Sequence, residues 1–166
     1  MIERAVALYR QRFASTGKFE NTVYPGIEAA LTTLQAWGFA LYVITSKPTV
    51  FARRILEFFG LHRFFRETYG SELDGTRADK ADLIAHVLAQ ESIAPNDAVM
   101  VGDREHDIKG ALANGVVPVG VLWGYGSRQE LERAGAFLLC AKTQELAALL
   151  SSNALRNGKP RGVFTT

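Results

Sequence analysis

The stretch VMVGDREHDIKGALANG, residues 99 to 115, is the most informative part of the sequence. A short apolar run ends at Gly102–Asp103, and a second acid, Asp107, follows at the start of a helix-like segment. Apolar runs of this length are typical of strands that are buried on both faces of a sheet. The stretch therefore predicts a strand that passes directly into a helix, with two carboxylates at the junction.

Apolar runs and helical patterns alternate along the rest of the chain. Segments with one apolar face, typical of amphipathic helices, begin near Ile27, Phe51 and Leu83. Strands that alternate with helices favour parallel pairing, so we predict an α/β domain with a Rossmann-like parallel sheet flanked by helices. The predicted strands are Leu41–Thr45, Ala98–Gly102, Val117–Leu122 and Ala136–Cys140, with a weaker candidate at Thr68–Tyr69.

Composition narrows the class of protein and its partners. A chain of 166 residues that is 48% hydrophobic fits one domain with its own core. The net charge of +2 comes without a run of basic residues, which argues against a nucleic-acid partner. The most apolar stretch, Val116 to Tyr125, is too short and too rich in Gly and Pro to span a membrane. The single cysteine, Cys140, allows no internal disulfide and fits the reducing cytoplasm.

Two segments have residues suited to an anion at the carboxyl edge of the sheet, where ligands of open parallel sheets bind. Thr45, Ser46 and Lys47 follow a predicted strand and precede a helix, so hydroxyls, an ammonium and free backbone N–H groups could hold a phosphate there. The alternative is an ordinary helix cap. Lys80 opens another helix, where its charge opposes the dipole; this favours an anionic partner, although most lysines are simply solvated.

The two acids of the opening stretch suit a hard cation. Asp103 would stand at the tip of the strand and Asp107 in the first helical turn, and carboxylates there could hold Mg²⁺. The alternative is that Asp103 caps the helix and Asp107 interacts favourably with its dipole. His106 lies between them and is interpreted as a surface residue, since Mg²⁺ prefers oxygen ligands.

In this order, Thr45, Lys80 and Gly102-Asp103 with Asp107 resemble the second, third and fourth motifs of the haloacid dehalogenase-like hydrolase superfamily. The resemblance covers residues 18 to 150. The finer stretches resemble the phosphoglycolate-phosphatase-like branch, and within it most of all the bacterial 5′-nucleotidase-like group. These stretches are YPGI (24–27), TSKP (45–48), GSELDGTRADK (70–80) and VLWGYGS (121–127).

The resemblance implies a Mg²⁺-dependent phosphatase. An aspartate attacks a phosphomonoester, such as a nucleoside monophosphate or a phosphoglycolate-like molecule, and water hydrolyses the resulting aspartyl-phosphate. Asp103 would be a metal ligand, and Asp107 would order a metal-bound water or Lys80. The phosphoryl oxygens would be held by Thr45, Ser46, Lys47 and Lys80.

The family's first motif, Asp-x-Asp-Gly-Thr, which carries the nucleophile, is not found. No aspartate precedes Asp74, and the similar Glu72-Leu73-Asp74-Gly75-Thr76 comes after the second motif and has the composition of a turn. The sequence therefore resembles a member that lacks the first core strand and most of the helical cap, and we expect the chain to be inactive. The predicted divisions are a cap remnant at 1–17, a core at 18–150 and a loose tail at 151–166.

A missing first strand would leave a slot in the middle of the sheet, between the strands that end at Thr45 and Asp103. Unpaired strand edges of this kind favour dimers or aggregates. The slot could be closed by direct pairing of the two strands, by a segment of another chain, or by the tail GVFTT (162–166). We expect an intermolecular solution, such as a dimer with strand exchange, or a rearranged sheet.

Two other functions remain open at this point. The chain could be a non-catalytic module that binds phosphate or Mg²⁺, or that pairs with a separately encoded front half. An unrelated nucleotide-binding domain is disfavoured, because neither G-x-G-x-x-G nor G-x-x-x-x-G-K-[ST] occurs.

Overall fold

The computed structural model describes residues 22–151 and 162–166. They form one parallel sheet of six strands in the order β2-β1-β6-β3-β4-β5, flanked by helices. The strands are β1 (Ala40–Pro48), β2 (Glu67–Ser71), β3 (Ala98–Gly102), β4 (Val117–Val121), β5 (Leu138–Cys140) and β6 (Gly162–Thr165). The helices are α1 (Ile27–Ala36), α2 (Thr49–Phe58), α3 (Lys80–Glu91), α4 (Glu105–Ala113), α5 (Arg128–Ala134) and α6 (Leu146–Ser151).

The end of the tail fills the central slot of the sheet. β6 lies between β1 and β3 and pairs in parallel with both, so that Val163 is opposite Leu41 on one side and Val99 on the other. The backbone groups on the inner edges of β1 and β3 thus find partners within the same chain. This is one of the three solutions considered from the sequence.

β6 also contributes to the core on both faces of the sheet. Alternate residues of a strand point to opposite faces, and here Val163 packs in the cluster that contains α1 and α6 while Phe164 packs in the cluster that contains α3. Phe164 is fully buried, and its ring meets that of Tyr42 edge to face at 5.8 Å between centroids. Four residues therefore complete both the hydrogen bonding and the packing at the centre of the domain.

The predicted fold class is confirmed, with corrections at the tail and in the sheet. The expected rearrangement is wrong, since the other five strands keep the order of the resembled fold and no second chain is needed to fill the slot. The tail is not loose at its end, because 162–165 is a buried strand. The predicted cap remnant, 1–17, lies outside the described residues, and the division into a cap and a core stays a prediction.

The boundaries of the elements differ modestly from the predicted ones. β1 continues through the TSKP segment to Pro48, whereas its predicted end was Thr45. The weak candidate at Thr68–Tyr69 is the middle of β2. Pro48 precedes α2 as its cap residue, and the helix begins at Thr49. Ser127 caps α5, because its hydroxyl accepts the N–H of Glu130 at 3.1 Å, while the Glu130 carboxylate has other partners.

Replacing Phe164 by alanine tests whether β6 holds the sheet together. Because Phe164 is fully buried between β1 and β3, we expect Phe164→Ala to lower the free energy of unfolding by about 3–5 kcal/mol in urea titrations. Thr166→Ala is the matched control, since Thr166 is exposed at the end of the same segment. Equal unfolding midpoints for the two variants would contradict the position of β6.

Candidate active site

A buried ion pair joins the starts of α3 and α4 beneath the carboxyl edge of the sheet. The ammonium of Lys80 lies 3.0 Å from Oδ1 of Asp107, and both side chains are almost completely buried, at 6% and 4% exposure. Lys80 also donates to the backbone carbonyl of Ile44 at 2.8 Å, and Oδ2 of Asp107 accepts the N–H of Arg104 at 3.1 Å. The pair thus links the end of β1 to the loop that follows β3.

Two glycines allow this pair to come together. A Cβ on Gly102 would lie 2.2 Å from the Cβ of Asp107, and a Cβ on Gly110 would lie 2.9 Å from Cγ of Lys80. Any side chain at either position would push α4 away from β3 or from α3. The Gly-Asp sequence at the end of β3 therefore has a steric role in addition to presenting Asp103.

The structure shows why Lys80 occupies an unfavourable helix position. Asp79 caps α3 by accepting the N–H groups of Ala81 and Asp82 at 2.8 and 3.2 Å. This aspartate at the helix start offsets the unfavourable position of a cation there. Lys80 is not the solvated surface residue that a lysine usually is; its ammonium is held by Ile44 and Asp107, with a third N–H left for another acceptor.

The segment Thr45-Ser46-Lys47 ends β1 at the same edge. Thr45 is half-buried and its hydroxyl accepts the N–H of Lys47 at 3.3 Å, while the side chains of Ser46 and Lys47 are exposed. The carbonyl of Ser46 accepts the hydroxyl of Ser71 at 3.0 Å, which fixes the segment against the end of β2. Thr45 directly follows the carbonyl that holds Lys80, so the ammonium of Lys80 lies beside the backbone at Thr45.

Asp103 stands one residue beyond β3 and is held by the loop after β4. Its Oδ2 accepts the N–H of Tyr125 at 2.7 Å. The loop can pass this close because a Cβ on Gly124 would lie 2.2 Å from that of Asp103, and a Cβ on Gly126 only 2.0 Å from its carbonyl oxygen. Asp103 does not cap α4, whose cap residue is Arg104, so the capping alternative for Asp103 is not what the structure shows.

A second contact positions the loop around Asp103, and the sequence did not reveal it. Oε1 of Glu130 accepts Nε of Arg104 at 2.9 Å and the N–H of Glu105 at 3.0 Å. The contact joins the first turn of α5 to the first turn of α4. No local sequence pattern distinguishes a carboxylate that reaches another helix from one that closes the cap of its own helix.

The Glu72–Thr76 segment forms a turn, as predicted. The N–H of Gly75 bonds to the carbonyl of Glu72 at 3.0 Å, and Gly75 has a φ of 91°, in the left-handed region that favours glycine. Asp74 accepts the N–H of Thr76 at 2.8 Å, a bond that lowers the pKa of its carboxyl. Asp74 is thus occupied with local turn formation.

Two of the predicted site residues, Thr45 and Asp103, lie on or directly after strands that are separated only by β6. Thr45 follows the last buried residue of β1 and Asp103 follows β3; neighbouring strands are about 4.8 Å apart, so the two strand ends are about 10 Å apart. The ion pair of Lys80 and Asp107 connects the two strands, because Lys80 donates to the carbonyl of Ile44 on β1 and Asp107 accepts the N–H of Arg104 after β3. The arrangement offers a hydroxyl, an ammonium and a carboxylate at one rim.

The donor set fits Mg²⁺ only in part. Asp103 is half-buried and is hydrogen-bonded through one oxygen, so the other is available to a cation. Asp107 is already bound to Lys80 and Arg104. Among residues 22–151 and 162–166, no group of three or more acidic, histidine or cysteine side chains could surround a metal ion. Since Mg²⁺ is commonly bound by one or two carboxylates together with phosphate and water, Asp103 could supply one protein ligand.

These features define the class of protein: a Rossmann-like α/β domain with polar side chains gathered at the carboxyl edge of a parallel sheet. The chain belongs to the haloacid dehalogenase-like hydrolase family, whose model matches residues 1–121. A crystal structure of a predicted phosphatase from Clostridium acetobutylicum superposes with a TM-score of 0.85 and 46% identity, over 87% of this chain and 67% of that one.

Curated relatives carry different names. A 5′-nucleotidase of Pseudomonas aeruginosa is 47% identical over 90% of this chain and 67% of its own length. The tyrosine-protein kinase PtkA of Mycobacterium tuberculosis is 41% identical over 79% of this chain and 45% of its own. A phosphoglycolate phosphatase of Psychrobacter arcticus is 32% identical over 80% of this chain and 57% of its own. The chain thus spans between about half and two thirds of these relatives.

None of the described helices has the length and apolar character that crossing a membrane requires.

Separating the two partners of the buried pair should be costly. We expect Asp107→Asn to lower the free energy of unfolding by about 3–5 kcal/mol, because it leaves the Lys80 charge buried without a counter-charge. The double variant Lys80→Met/Asp107→Leu should recover most of this loss. Glu105→Gln, which removes an exposed pair with Lys109, is the control and should change little. If Asp107→Asn unfolds like that control, the pair is not buried as described.

The contact between Glu130 and Arg104 predicts a dependence of stability on pH. The hydrogen bond from Arg104, together with the N–H of Glu105, lowers the pKa of Glu130 below that of the unfolded chain. The stabilisation is therefore complete above the unfolded pKa and is lost as pH falls through the lowered value. Urea titrations should show Glu130→Gln less stable than the parent at pH 7 and closer to it in acid.

The control for Glu130→Gln is Glu132→Gln, since Glu132 lies on the same helix and only pairs with the exposed Arg128. If the free energy of unfolding of Glu130→Gln is lower than that of the parent by the same amount at every pH, the contact does not depend on the charge of the carboxylate.

Proposed function

We propose that this chain is the phosphate- and metal-binding part of a Mg²⁺-dependent phosphomonoester phosphatase of the phosphoglycolate phosphatase or 5′-nucleotidase type. The observation that carries the proposal is the buried ammonium of Lys80, held between the Ile44 carbonyl of β1 and the Asp107 carboxylate of α4. A lysine that is desolvated and oriented in this way is suited to an anionic ligand. Membership of the hydrolase family supports the same reaction class, as do the 5′-nucleotidase and phosphoglycolate phosphatase among its relatives.

Each side chain has a role in this proposal. Lys80 and Thr45 hold oxygens of the phosphoryl group, and the ammonium offsets the charge that develops there during transfer. Ser46 and Lys47 are exposed beside Thr45 and contribute less constrained contacts to the same anion. Asp103 binds Mg²⁺ together with phosphate and water. Asp107 acts by fixing Lys80, which is the alternative that the 3.0 Å contact favours over ordering a metal-bound water.

The nucleophile is the part that these residues do not supply. In the resembled mechanism an aspartate at the end of the central strand attacks phosphorus and forms an aspartyl-phosphate. Here the central strand is β6, whose sequence is Gly-Val-Phe-Thr, and Asp103, as the metal ligand, faces the cation. We therefore expect the 166-residue chain to bind phosphate with Mg²⁺ but to hydrolyse phosphomonoesters little or not at all. The single buried Cys140 agrees with the proposed cytoplasmic location.

Binding and turnover test the proposal separately. Isothermal titration of the chain with inorganic phosphate should show binding that strengthens when Mg²⁺ is present, and Asp103→Asn should weaken the Mg²⁺-dependent part at least about ten-fold, as expected for the loss of one charged metal ligand. Asp82→Asn, at an exposed position in the first turn of α3, is the control and should bind like the parent. Phosphate binding that is indifferent to Mg²⁺ and to Asp103→Asn would refute the proposed site.

Turnover of p-nitrophenyl phosphate with Mg²⁺ tests the missing nucleophile. We expect the chain alone to release no p-nitrophenol above the rate of the Asp103→Asn variant. Robust hydrolysis that Asp103→Asn abolishes would show that the described residues are sufficient for catalysis, and would contradict the expected inactivity.

A second candidate is a non-catalytic module that pairs with another chain. The specific observation in its favour is that β6 occupies the position where the resemblance places the nucleophile strand, yet β6 carries no carboxylate side chain. A separate polypeptide could supply both the strand and the nucleophile by displacing β6. Co-purification of a chain with an Asp-x-Asp-Gly-Thr sequence would favour this candidate, and purification as a lone monomer would argue against it.

A further inference from the structure

Two tyrosines stand exposed at the rim of the candidate active site. Tyr125 is 86% exposed and Tyr24 is 41% exposed, values unusual for side chains with large apolar rings. Tyr125 follows β4, the neighbour of β3 in the sheet. Tyr24 precedes α1 in a turn whose Pro25 carbonyl accepts the hydroxyl of Thr143, just after β5. Both therefore lie at the carboxyl edge, where the predicted phosphate ligands also lie.

The backbone on which each tyrosine stands is fixed. Tyr125 donates its N–H to Asp103 at 2.7 Å, and the glycines on either side of it pack against Asp103. The carbonyl of Tyr24 accepts the N–H of Ile27 at 3.2 Å at the start of α1. Rings held on a rigid backbone lose little freedom on binding a ligand, which favours affinity.

The segments that carry the two tyrosines leave the sheet side by side, because the N–H of Leu122, three residues before Tyr125, donates to the carbonyl of Cys140, three residues before the Thr143 that holds the Tyr24 turn. A tyrosine phenol is uncharged at neutral pH, so it does not repel a phosphate bound nearby. An aromatic surface of this kind beside an anion site suits a ligand that has a phosphate at one end and a flat apolar group at the other.

We infer that Tyr24 and Tyr125 form a stacking site for the aromatic base of a nucleoside monophosphate, whose nucleoside leaves as the alcohol when the phosphate ester is cleaved. The inference rests on the proposed function, because the phosphate must be held at Lys80 and Thr45, with Mg²⁺ at Asp103, for the base to reach the two rings. It selects between the two substrate types left open there: a phosphoglycolate-like molecule has no π-face to stack, and a nucleotide has one.

The test compares three ligands that share a phosphate. Titrations with Mg²⁺ present would use inorganic phosphate, ribose 5-phosphate and adenosine 5′-monophosphate on the full chain. We expect the nucleotide to bind about ten-fold or more tightly than ribose 5-phosphate, in the range known for bases stacked on aromatic side chains. Tyr125→Ala and Tyr24→Ala should each remove most of this preference, while Tyr125→Phe should keep it because the ring remains.

The matched control is Phe58→Ala. Phe58 is an exposed aromatic residue, 58% accessible, at the end of α2, which runs from the carboxyl edge back toward the opposite edge of the sheet. This variant should keep the nucleotide preference of the parent. Since both tyrosines are exposed, the alanine variants should also keep the binding of inorganic phosphate, which shows that they fold.

The possible results separate the two proposals. Equal affinities for nucleotide and ribose 5-phosphate, with normal phosphate binding, would overturn the stacking site and leave the proposed function intact. A nucleotide preference that survives in both alanine variants would overturn the assignment to these residues. Failure of all three ligands to bind would overturn the proposed function and the stacking site together.

Discussion

Backbone hydrogen bonding at the centre of the sheet is the constraint on which the rest of this structure depends. Without β6, the facing edges of β1 and β3 would expose rows of N–H and C=O groups in the middle of the domain, where water cannot satisfy them without opening the core. β6 meets this requirement with four residues. The spacing that it maintains between β1 and β3 also sets the distance between Thr45 and Asp103.

Within that frame, the buried Lys80–Asp107 pair determines the geometry of the site. Two desolvated charges are stabilising only when their remaining hydrogen-bonding groups are satisfied, and here Ile44 and Arg104 supply those partners. The pair contributes little to stability beyond what a well-packed apolar pair would give. The main effect of the ion pair is on geometry, since it fixes an ammonium at the rim of the sheet and connects β1 to the loop that follows β3.

The sequence predicted the parts of the fold that depend on local patterns. Buried parallel strands are short apolar runs bounded by polar residues, and β3 and the start of α4 could be read directly from VMVGDREHD. The slot-filling role of Gly162–Thr165 could not be chosen over its alternatives, because four residues carry no information about which distant edges they pair with. The contact from Glu130 to Arg104 was missed for the same reason: it joins residues 26 positions apart.

Folding and catalysis make different demands on the central strand. The sheet needs backbone partners and two apolar side chains of opposite orientation, and Val163 and Phe164 provide them. Catalysis by the proposed mechanism needs a carboxylate at the end of that strand, between Thr45 and Asp103. Thr165 lies opposite Val43 and Val101, two positions before those anchors, and adds only a hydroxyl there. A chain can therefore satisfy the first demand completely without meeting the second, so a correctly folded sheet is no sign of an active phosphatase.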